Sequence, residues 1–163
     1  MKLKVFITII STALSINLFS QTAESYFSQG RVYELQEKDY DKAKEYYLHA
    51  LKLQPDYVSC YENLGRIYHK IKKDYYKAIV YYQLYVGYRS DAKAYLNMAN
   101  CYLSIERPDY NKGIQCCEEA IKLKSDYADA YCLLASIYNK TGNRNKYLEY
   151  LKKSRQLENK DEK

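Results

Sequence analysis

The chain has 163 residues, of which 47% are hydrophobic, 15% aromatic and 28% charged, with five Gly and two Pro. This balance excludes a disordered or low-complexity chain, and the length suits one domain with a core of its own. The formal net charge is +6, but both signs are interspersed and no basic block occurs, so we expect no nucleic-acid partner.

The first twenty residues differ in character from the rest. Lys2 and Lys4 precede an apolar run from Val5 to Phe19, as in a secretory signal peptide, and we expect cleavage after the small residue Ser20. The run is shorter than the ~18 apolar residues of a membrane-spanning helix. An uncleaved anchor and a core helix are the alternatives. We therefore predict a signal peptide at residues 1–20, no membrane span after its cleavage, and an exported protein of the periplasm, the cell envelope or the secreted space.

From Ala23 onward the sequence repeats with a period of 34 to 36 residues. Each copy has two aromatic residues around a small residue in its first half. The second half of the first and third copies has two small residues around a bulkier one, and the second and fourth copies depart from this at one position each. The first copy carries Tyr26, Gly30, Tyr33, Ala43, Tyr47, Ala50 and Pro55; the second Tyr61, Gly65, Tyr68, Ala78 and Tyr82; the third Tyr95, Ala99, Tyr102, Gly113, Cys117 and Ala120; the fourth Tyr131, Ala135 and Tyr138, then Tyr147, Leu151 and Ser154. The predicted repeats span about 23–56, 57–90, 91–125 and 126–157, and a polar tail follows at 158–163.

This pattern resembles the tetratricopeptide repeat family, whose first helix carries an aromatic, Leu-Gly and Tyr, and whose second carries Ala, an aromatic, Ala and Pro. The segments 63–68 (Asn-Leu-Gly-Arg-Ile-Tyr) and 41–47 (Asp-Lys-Ala-Lys-Glu-Tyr-Tyr) carry the resemblance most closely. It covers about Ala23 to Leu157. It implies an all-α, right-handed α-solenoid of four helix-turn-helix repeats, with eight helices, that serves as a binding scaffold.

Each repeat reads as two amphipathic helices joined by a tight turn. The first helix is predicted from about Ala23 to Gln36 and the second from about Asp41 to Leu53, where the following Pro55 prevents continuation. The last helix, about Asn143 to Leu157, would cap the open end of the stack, and the polar residues after it are expected to fray.

Small residues at fixed positions predict where paired helices approach closely, because backbones come within about 8 Å only where the contact residues lack bulk. These positions are Gly30, Gly65, Ala99, Ala135, Ala43, Ala78 and Gly113. We expect Tyr26 and Tyr33 to flank the close point and to interlock with Tyr47.

Two kinds of departure from the family pattern occur. The turns inside the first three repeats are one or two residues longer than usual, which we interpret as surface variation. Tyr85 and Tyr147 stand where small residues are expected, and a bulky residue there must find a gap or separate the helices.

The sequence offers no motif for catalysis or metal binding. Glycine-rich phosphate loops, H-E-x-x-H and G-x-S-x-G are absent, and His49 is expected on a solvated face. The five cysteines are scattered without a C-x2-C pair, which argues against a zinc site or a disulfide framework. Cys101 and Cys117 are predicted as small core residues and are the one pair to test for a bridge. We expect no enzyme, no cofactor and no metal.

The family resemblance implies a concave groove lined by the first helix of each repeat. The residues predicted there to bind a partner are Arg31, Glu62, Asn63, Arg66, His69, Lys93, Asn97 and Asn100, accompanied at equivalent positions by Glu24, Phe27, Leu96, Asp129, Cys132, Ser136 and Asn139. Guanidinium and amide donors suit the backbone or carboxylate of an extended peptide. A plain solvated helix face is the alternative interpretation.

We therefore expect a non-catalytic scaffold that binds a protein or peptide partner. The alternative is a self-associating structural subunit, a homo-oligomer held by exposed Tyr76, Tyr81 and Tyr88 and a free Cys. A third hypothesis, ligand-binding or enzymatic use of the groove, would need a pocket that the sequence does not show.

Overall fold

The computed structural model describes residues 22–161, and this part of the chain is all-α, with eight helices and no strand. The predicted signal peptide at 1–20 and the last two residues lie outside the described residues. The helices are α1 (Ala23–Val32), α2 (Tyr40–Leu53), α3 (Val58–Arg66), α4 (Tyr75–Tyr88), α5 (Ala92–Ser104), α6 (Tyr110–Leu123), α7 (Ala128–Lys140) and α8 (Arg144–Asp161). α1 and α3 continue into π-helical segments, Tyr33–Glu37 and Ile67–Lys72.

The chain divides into two compact units, which meet in sequence between Cys60 and Tyr61. In the first unit α1 packs on α2, and Ala43, Tyr47 and Ala50 are fully buried. In the second unit each helix from α4 to α8 packs on the helices next to it in sequence. Nearest-neighbour packing of this kind is how a repeat buries an apolar face that it cannot hide alone.

All seven predicted small residues are buried, and Gly30 and Gly65 lie at the seams inside their helix pairs. A Cβ atom on Gly30 would stand 2.7 Å from the Tyr47 ring, and one on Gly65 would stand 2.8 Å from the Tyr82 ring. Real Cβ atoms do not come that close, so only glycine leaves room for these rings beside the first helix. Burial of Tyr82 at 1% exposure depends on this contact.

The predicted partner of Tyr26 and Tyr33 is corrected by the structure. Tyr33 stacks on Tyr46, with ring centroids 5.1 Å apart, and Tyr26 also lies against Tyr46 at 6.1 Å. Tyr47 instead fills the space beside Gly30 and Phe27. Neighbouring residues of a helix point in different directions. Tyr46 therefore stacks on Tyr33, and Tyr47 packs against Gly30.

The longer turns of the first two repeats are absorbed by the helices rather than displayed as surface loops. Each extra residue is taken up in a π-helical turn that ends at a left-handed lysine, Lys38 (φ 57°) or Lys73 (φ 55°). In the third repeat the chain instead leaves the helix in an extended conformation at Ile105. π-Helical turns are the usual way for a helix to accommodate one inserted residue.

One backbone hydrogen bond closes all four helix pairs whatever the turn length. The carbonyl of the first helix's last tyrosine accepts from the residue that caps the second helix: Asp39 to Tyr33, Asp74 to Tyr68, Asp109 to Tyr102 and Asn143 to Tyr138, each at 2.9–3.0 Å. The same capping side chains accept the backbone N–H of the lysine three residues on, at 3.0–3.2 Å. The cap satisfies an N–H group that a helix start otherwise leaves unpaired.

Both tyrosines that replace an expected small residue are accommodated in the fold. Tyr85 is 4% exposed on α4, and Tyr147 is partly buried on α8. α8 runs on past the predicted end at Leu157 to Asp161, so the first part of the polar tail is helical.

Candidate functional site

The second unit contains a cavity of about 500 Å³ between the first helices of the third and fourth repeats. α5 and α7 form its two sides, and the end of the α3 π-segment reaches it. It is lined by Lys70, Lys93, Leu96, Asn97, Asn100, Tyr127, Asp129, Cys132, Leu133 and Ser136. Its size lies within the range of ligand and peptide sites.

Helical periodicity explains why these residues share a cavity. Residues 93, 96, 97 and 100 of α5, and residues 129, 132, 133 and 136 of α7, follow the three- and four-residue steps that place side chains on one helix face. The opposite face of α5 carries Ala94, Met98 and Cys101, all buried. Because this face of α5 is packed in the core, the face with Lys93 and Asn97 is left to line the cavity.

The cavity combines cations, amides and one carboxylate on a partly apolar floor. Lys70 and Lys93 carry positive charge, while Asp129 on α7 carries negative charge. The side-chain amide of Asn100 donates to the Leu96 carbonyl at 3.0 Å, which holds its orientation. Amide, ammonium and carboxylate groups around apolar side chains are suited to the backbone and side chains of an extended peptide.

Three of the eight predicted binding residues, Lys93, Asn97 and Asn100, line this cavity. The predicted residues on α3 lie elsewhere. Arg66 donates to the Asn63 side chain at 3.0 Å, so these two residues hold each other.

Glu62 is exposed on α3. It adds to the rise in pKa that burial causes at Tyr82 and Tyr85. Arg31 is an exposed residue of α1 in the first unit.

His69 differs from the expectation of a groove residue. It is only 6% exposed, and burial together with Lys70 and Lys73 lowers the pKa of its imidazole to about 4. It lies in the π-helical segment, where one more residue per turn shifts side chains away from the positions that a regular helix predicts. The residue after it, Lys70, reaches the cavity instead.

The equivalent positions of the first repeat are engaged within their own unit. The Tyr57 hydroxyl donates to the Glu24 carboxylate, and the Phe27 ring lies 5.0 Å from the Tyr57 ring. Burial first, and then the bond to Glu24, raises the pKa of Tyr57 to about 12. These residues stabilise the first unit.

Sequence reasoning missed three residues of the cavity: Lys70, Tyr127 and Leu133. Leu133 follows Cys132 on the same face of α7, so the family spacing could have included it. Tyr127 precedes α7 and Lys70 lies in the π-segment. Neither position follows from the periodicity of a regular helix.

All five cysteines are free thiols, and the Cys101–Cys117 bridge is not formed. Both residues are fully buried, as predicted for small core residues, and burial raises the pKa of each thiol to about 12. Cys132 is the exposed cysteine, and it lines the cavity. Between residues 22 and 161 no group of three or more His, Cys, Asp and Glu side chains could hold a metal ion. None of the helices described is both long and apolar enough to cross a membrane.

The fold and the cavity define a helical repeat protein of the kind that binds other proteins. A family model for the tetratricopeptide repeat matches residues 23–57, 92–127 and 128–161, and a second one matches residues 46–80. The chain belongs to the tetratricopeptide repeat family.

Solved structures of MamA have the same fold. One is 27% identical over 85% of this chain and 74% of its own, with a TM-score of 0.77. A second is 21% identical over 91% and 85%, with a TM-score of 0.80. MamA from Desulfovibrio magneticus RS-1 is 22% identical over 88% and 79%, with a TM-score of 0.77. No curated protein matches the chain.

Proposed function

We propose that the protein is a scaffold of the cell envelope or secreted space that binds an extended segment of another protein in the α5–α7 cavity. The observation that carries this proposal is the cavity itself, which brings Lys93, Asn97 and Asn100 together with Asp129 and Ser136. The charged and then apolar start of the sequence supports export. The role is binding, and the groups in the cavity serve to hold a peptide backbone.

The binding test uses peptides selected against the wild-type chain from a display library. The affinity of the selected peptides is then measured for Lys93→Glu and for Lys140→Glu, an equal charge change at an exposed residue of α7 outside the cavity. We expect Lys93→Glu to weaken binding at least ~10-fold and Lys140→Glu to leave it within about twofold, because reversing a charge that contacts the peptide costs far more than reversing a distant one. Equal effects of the two variants would refute the cavity as the binding site.

Export is tested separately. A fusion of residues 1–22 to a reporter that is active only after export should be active, and the mature chain should begin at Gln21 by N-terminal sequencing. A mature protein that retains Lys2 and Lys4 would leave the anchor alternative in place.

A second candidate function is self-association through α4. Tyr76, Val80, Leu84 and Tyr88 recur at four-residue steps and are 62%, 52%, 42% and 57% exposed. At the first three of these positions the other second helices carry polar residues: Asp41, Glu45 and His49 in α2, Asn111, Gln115 and Glu119 in α6, and Asn145, Glu149 and Lys153 in α8. An apolar stripe on one helix, where its three copies are polar, is typical of a contact surface.

Tyr81, the third tyrosine named for this role, is instead half-buried and stacked on Tyr68 at 5.4 Å. The test is the molar mass by light scattering of the wild type and of Val80→Glu, which restores the residue type of α2 and α8. Association that weakens in Val80→Glu supports this function, and a concentration-independent monomer refutes it.

A further inference from the structure

Three of the four helix pairs share an aromatic stack between their helices. A tyrosine of the first helix lies face to face with a tyrosine of the second: Tyr33 on Tyr46 at 5.1 Å, Tyr68 on Tyr81 at 5.4 Å and Tyr138 on Tyr150 at 5.6 Å. The planes differ by 21°, 5° and 12°, so the rings are near parallel. A lysine of the second helix holds its ammonium over the first ring in each pair, at 5.0, 5.3 and 4.7 Å for Lys42, Lys77 and Lys146.

The third pair keeps the first ring and the lysine but lacks the second ring. Lys112 Nζ lies 5.3 Å above the Tyr102 ring, as in the other pairs. The position four residues after this lysine is Tyr46, Tyr81 and Tyr150 in the other repeats, and it is Cys116 here. A cysteine side chain is far smaller than a phenol, so the face of Tyr102 that the others cover loses its stacking partner.

The vacated volume is present as a cavity of about 330 Å³ between α4, α5 and α6. Tyr95, Met98, Tyr102 and Cys116 line it, together with the exposed side chains of Gln83, Lys112 and Gln115 and the half-buried Glu119. Tyr95 occupies the position of Tyr26 and Tyr131, which tilt against the stacked tyrosine of their own repeats at 6.1 and 6.2 Å. The cavity therefore retains the walls that hold a ring elsewhere in the same chain.

The chemistry of these walls is suited to an aromatic group. Two tyrosine rings and a methionine provide polarizable surface, and an ammonium stands beside the ring face where a second π-system would lie. The Gln83 amide donates to the Tyr102 hydroxyl at 3.1 Å. This hydroxyl therefore has a hydrogen-bond partner inside the chain and does not need one from an incoming ring. Burial raises the pKa of the Cys116 thiol to about 11, so at neutral pH the floor of the cavity is an uncharged sulfur.

We propose that this slot, lined by Tyr95, Met98, Tyr102 and Cys116, accepts a tyrosine or phenylalanine side chain of a partner polypeptide, which completes the stack that the third repeat lacks. The other three repeats show the geometry that the incoming ring takes. A polypeptide is the source because the chain belongs to a family of protein-binding repeats. The slot is lined by none of the residues of the α5–α7 cavity, so it is a second contact point.

The test is a titration of the ¹⁵N-labelled mature chain, followed by chemical shifts, with N-acetyltyrosinamide, N-acetylphenylalaninamide and N-acetylleucinamide. We expect the two aromatic probes to shift the backbone signals of Tyr102 and Cys116 and the side-chain amide of Gln83, and leucinamide to shift them at least ~10-fold less at equal concentration. Equal responses to all three probes, or shifts spread over the surface, would overturn the proposal. Binding of p-cresol without binding of N-acetyltyrosinamide would mean that only a free small aromatic enters, and would overturn the polypeptide source.

Substitutions at the slot provide a second test of the proposal. Cys116→Tyr restores the residue type of the other repeats and should abolish the response to aromatic probes while the far-UV circular dichroism is unchanged. Asn111→Tyr, at an exposed residue of α6 outside the slot, should respond as the wild type does. If Cys116→Tyr does not fold, Cys116→Leu closes the slot with a smaller group and should show the same loss.

An unchanged response in a folded Cys116 variant would refute the site. Light scattering in which Cys116→Tyr alone dissolves a self-associated form would identify a second copy as the occupant and overturn a separate partner. The result for Lys93→Glu is independent, because that residue does not line the slot.

Discussion

His69 should make the stability of the second unit depend on pH between about 7 and 4. Its ring is enclosed by the edges of two tyrosines, with centroids 6.1 Å from Tyr75 and 6.2 Å from Tyr82, and the residue is 6% exposed. The structure shows no hydrogen-bond partner for His69 Nδ1 among the described residues. Burial, with Lys70 and Lys73 nearby, lowers the pKa of the imidazole from 6.5 to about 4.

The direction of the pH effect on stability depends on which state, folded or unfolded, binds the proton more tightly. Between pH 6.5 and about 4 the unfolded chain takes up the proton and the folded chain does not, so acid favours unfolding over this window. Above the window both states are neutral and the effect vanishes. Because a tenfold change in proton affinity corresponds to about 1.4 kcal/mol, the free energy of unfolding falls by about 2 kcal/mol by pH 5 and by at most about 3 kcal/mol below pH 4.

The assay is urea unfolding followed by circular dichroism at several pH values from 7.5 to 4.5. His69→Leu should remove most of the pH dependence, and at pH 7 it should be close to neutral, because an apolar group replaces a buried polar group without a partner. His49→Gln is the matched control, since His49 is exposed on α2, and it should behave as the wild type does. If wild type and His69→Leu lose stability in parallel between pH 7 and 5, the assignment of the effect to a buried neutral imidazole is wrong.

The helix pairs could be predicted from the sequence because their packing is encoded in residue size. A glycine facing a tyrosine across a seam, as in Gly65 and Tyr82, recurs at a fixed spacing and admits one arrangement of two helices. The stack of Tyr33 on Tyr46 could not be read from the same pattern. Tyr46 and Tyr47 are adjacent and chemically identical, so only the helix rotation decides which one meets which neighbour.

The π-helical form of the segments after α1 and α3 could not be predicted from the sequence, although the predicted end of the first helix at Gln36 lies one residue from the observed end at Glu37. An extra residue between two helices can extend the loop or enter the helix as a π-turn, and the choice depends on small differences in backbone energy. Here the bond from Asp39 or Asp74 to the preceding tyrosine carbonyl is kept in both repeats, and the π-turn takes up the difference. As a consequence Glu34 and His69, at equivalent positions, are both buried, and Glu34 accepts the Tyr47 hydroxyl at 2.6 Å.

In the candidate site too, residues on a regular helix could be predicted from the sequence and residues on a π-helical segment could not. Lys93, Asn97 and Asn100 lie on a regular helix, and the spacing of the sequence predicted them correctly as cavity residues. His69 and Lys70 lie on the π-segment, where His69, which was predicted to line the groove, is buried and Lys70 lines the cavity instead. The slot beside Cys116 was not found at all. A cysteine in place of an aromatic residue looks like an ordinary small core residue in the sequence. Only the structure shows a cavity beside it among the residues described.

Two further predictions concern stability. Gly65→Ala should cost about 1–3 kcal/mol in urea unfolding, because its Cβ would overlap the Tyr82 ring. Gly87→Ala, also in a helix but with nothing within 4 Å of its Cβ, should gain about 0.5–1 kcal/mol, and a loss at both positions would disprove the tight seam. Asp74 both caps α4, by accepting the Lys77 N–H at 3.1 Å, and forms a solvent-exposed ion pair with the same lysine at 2.9 Å. Since an exposed ion pair contributes little and a cap about 1 kcal/mol, Asp74→Asn should be nearly as stable as the wild type while Asp74→Ala loses about 1 kcal/mol in urea unfolding. Equal losses in the two variants would mean that the charge, and not the hydrogen bond to the helix start, is what stabilises the second repeat.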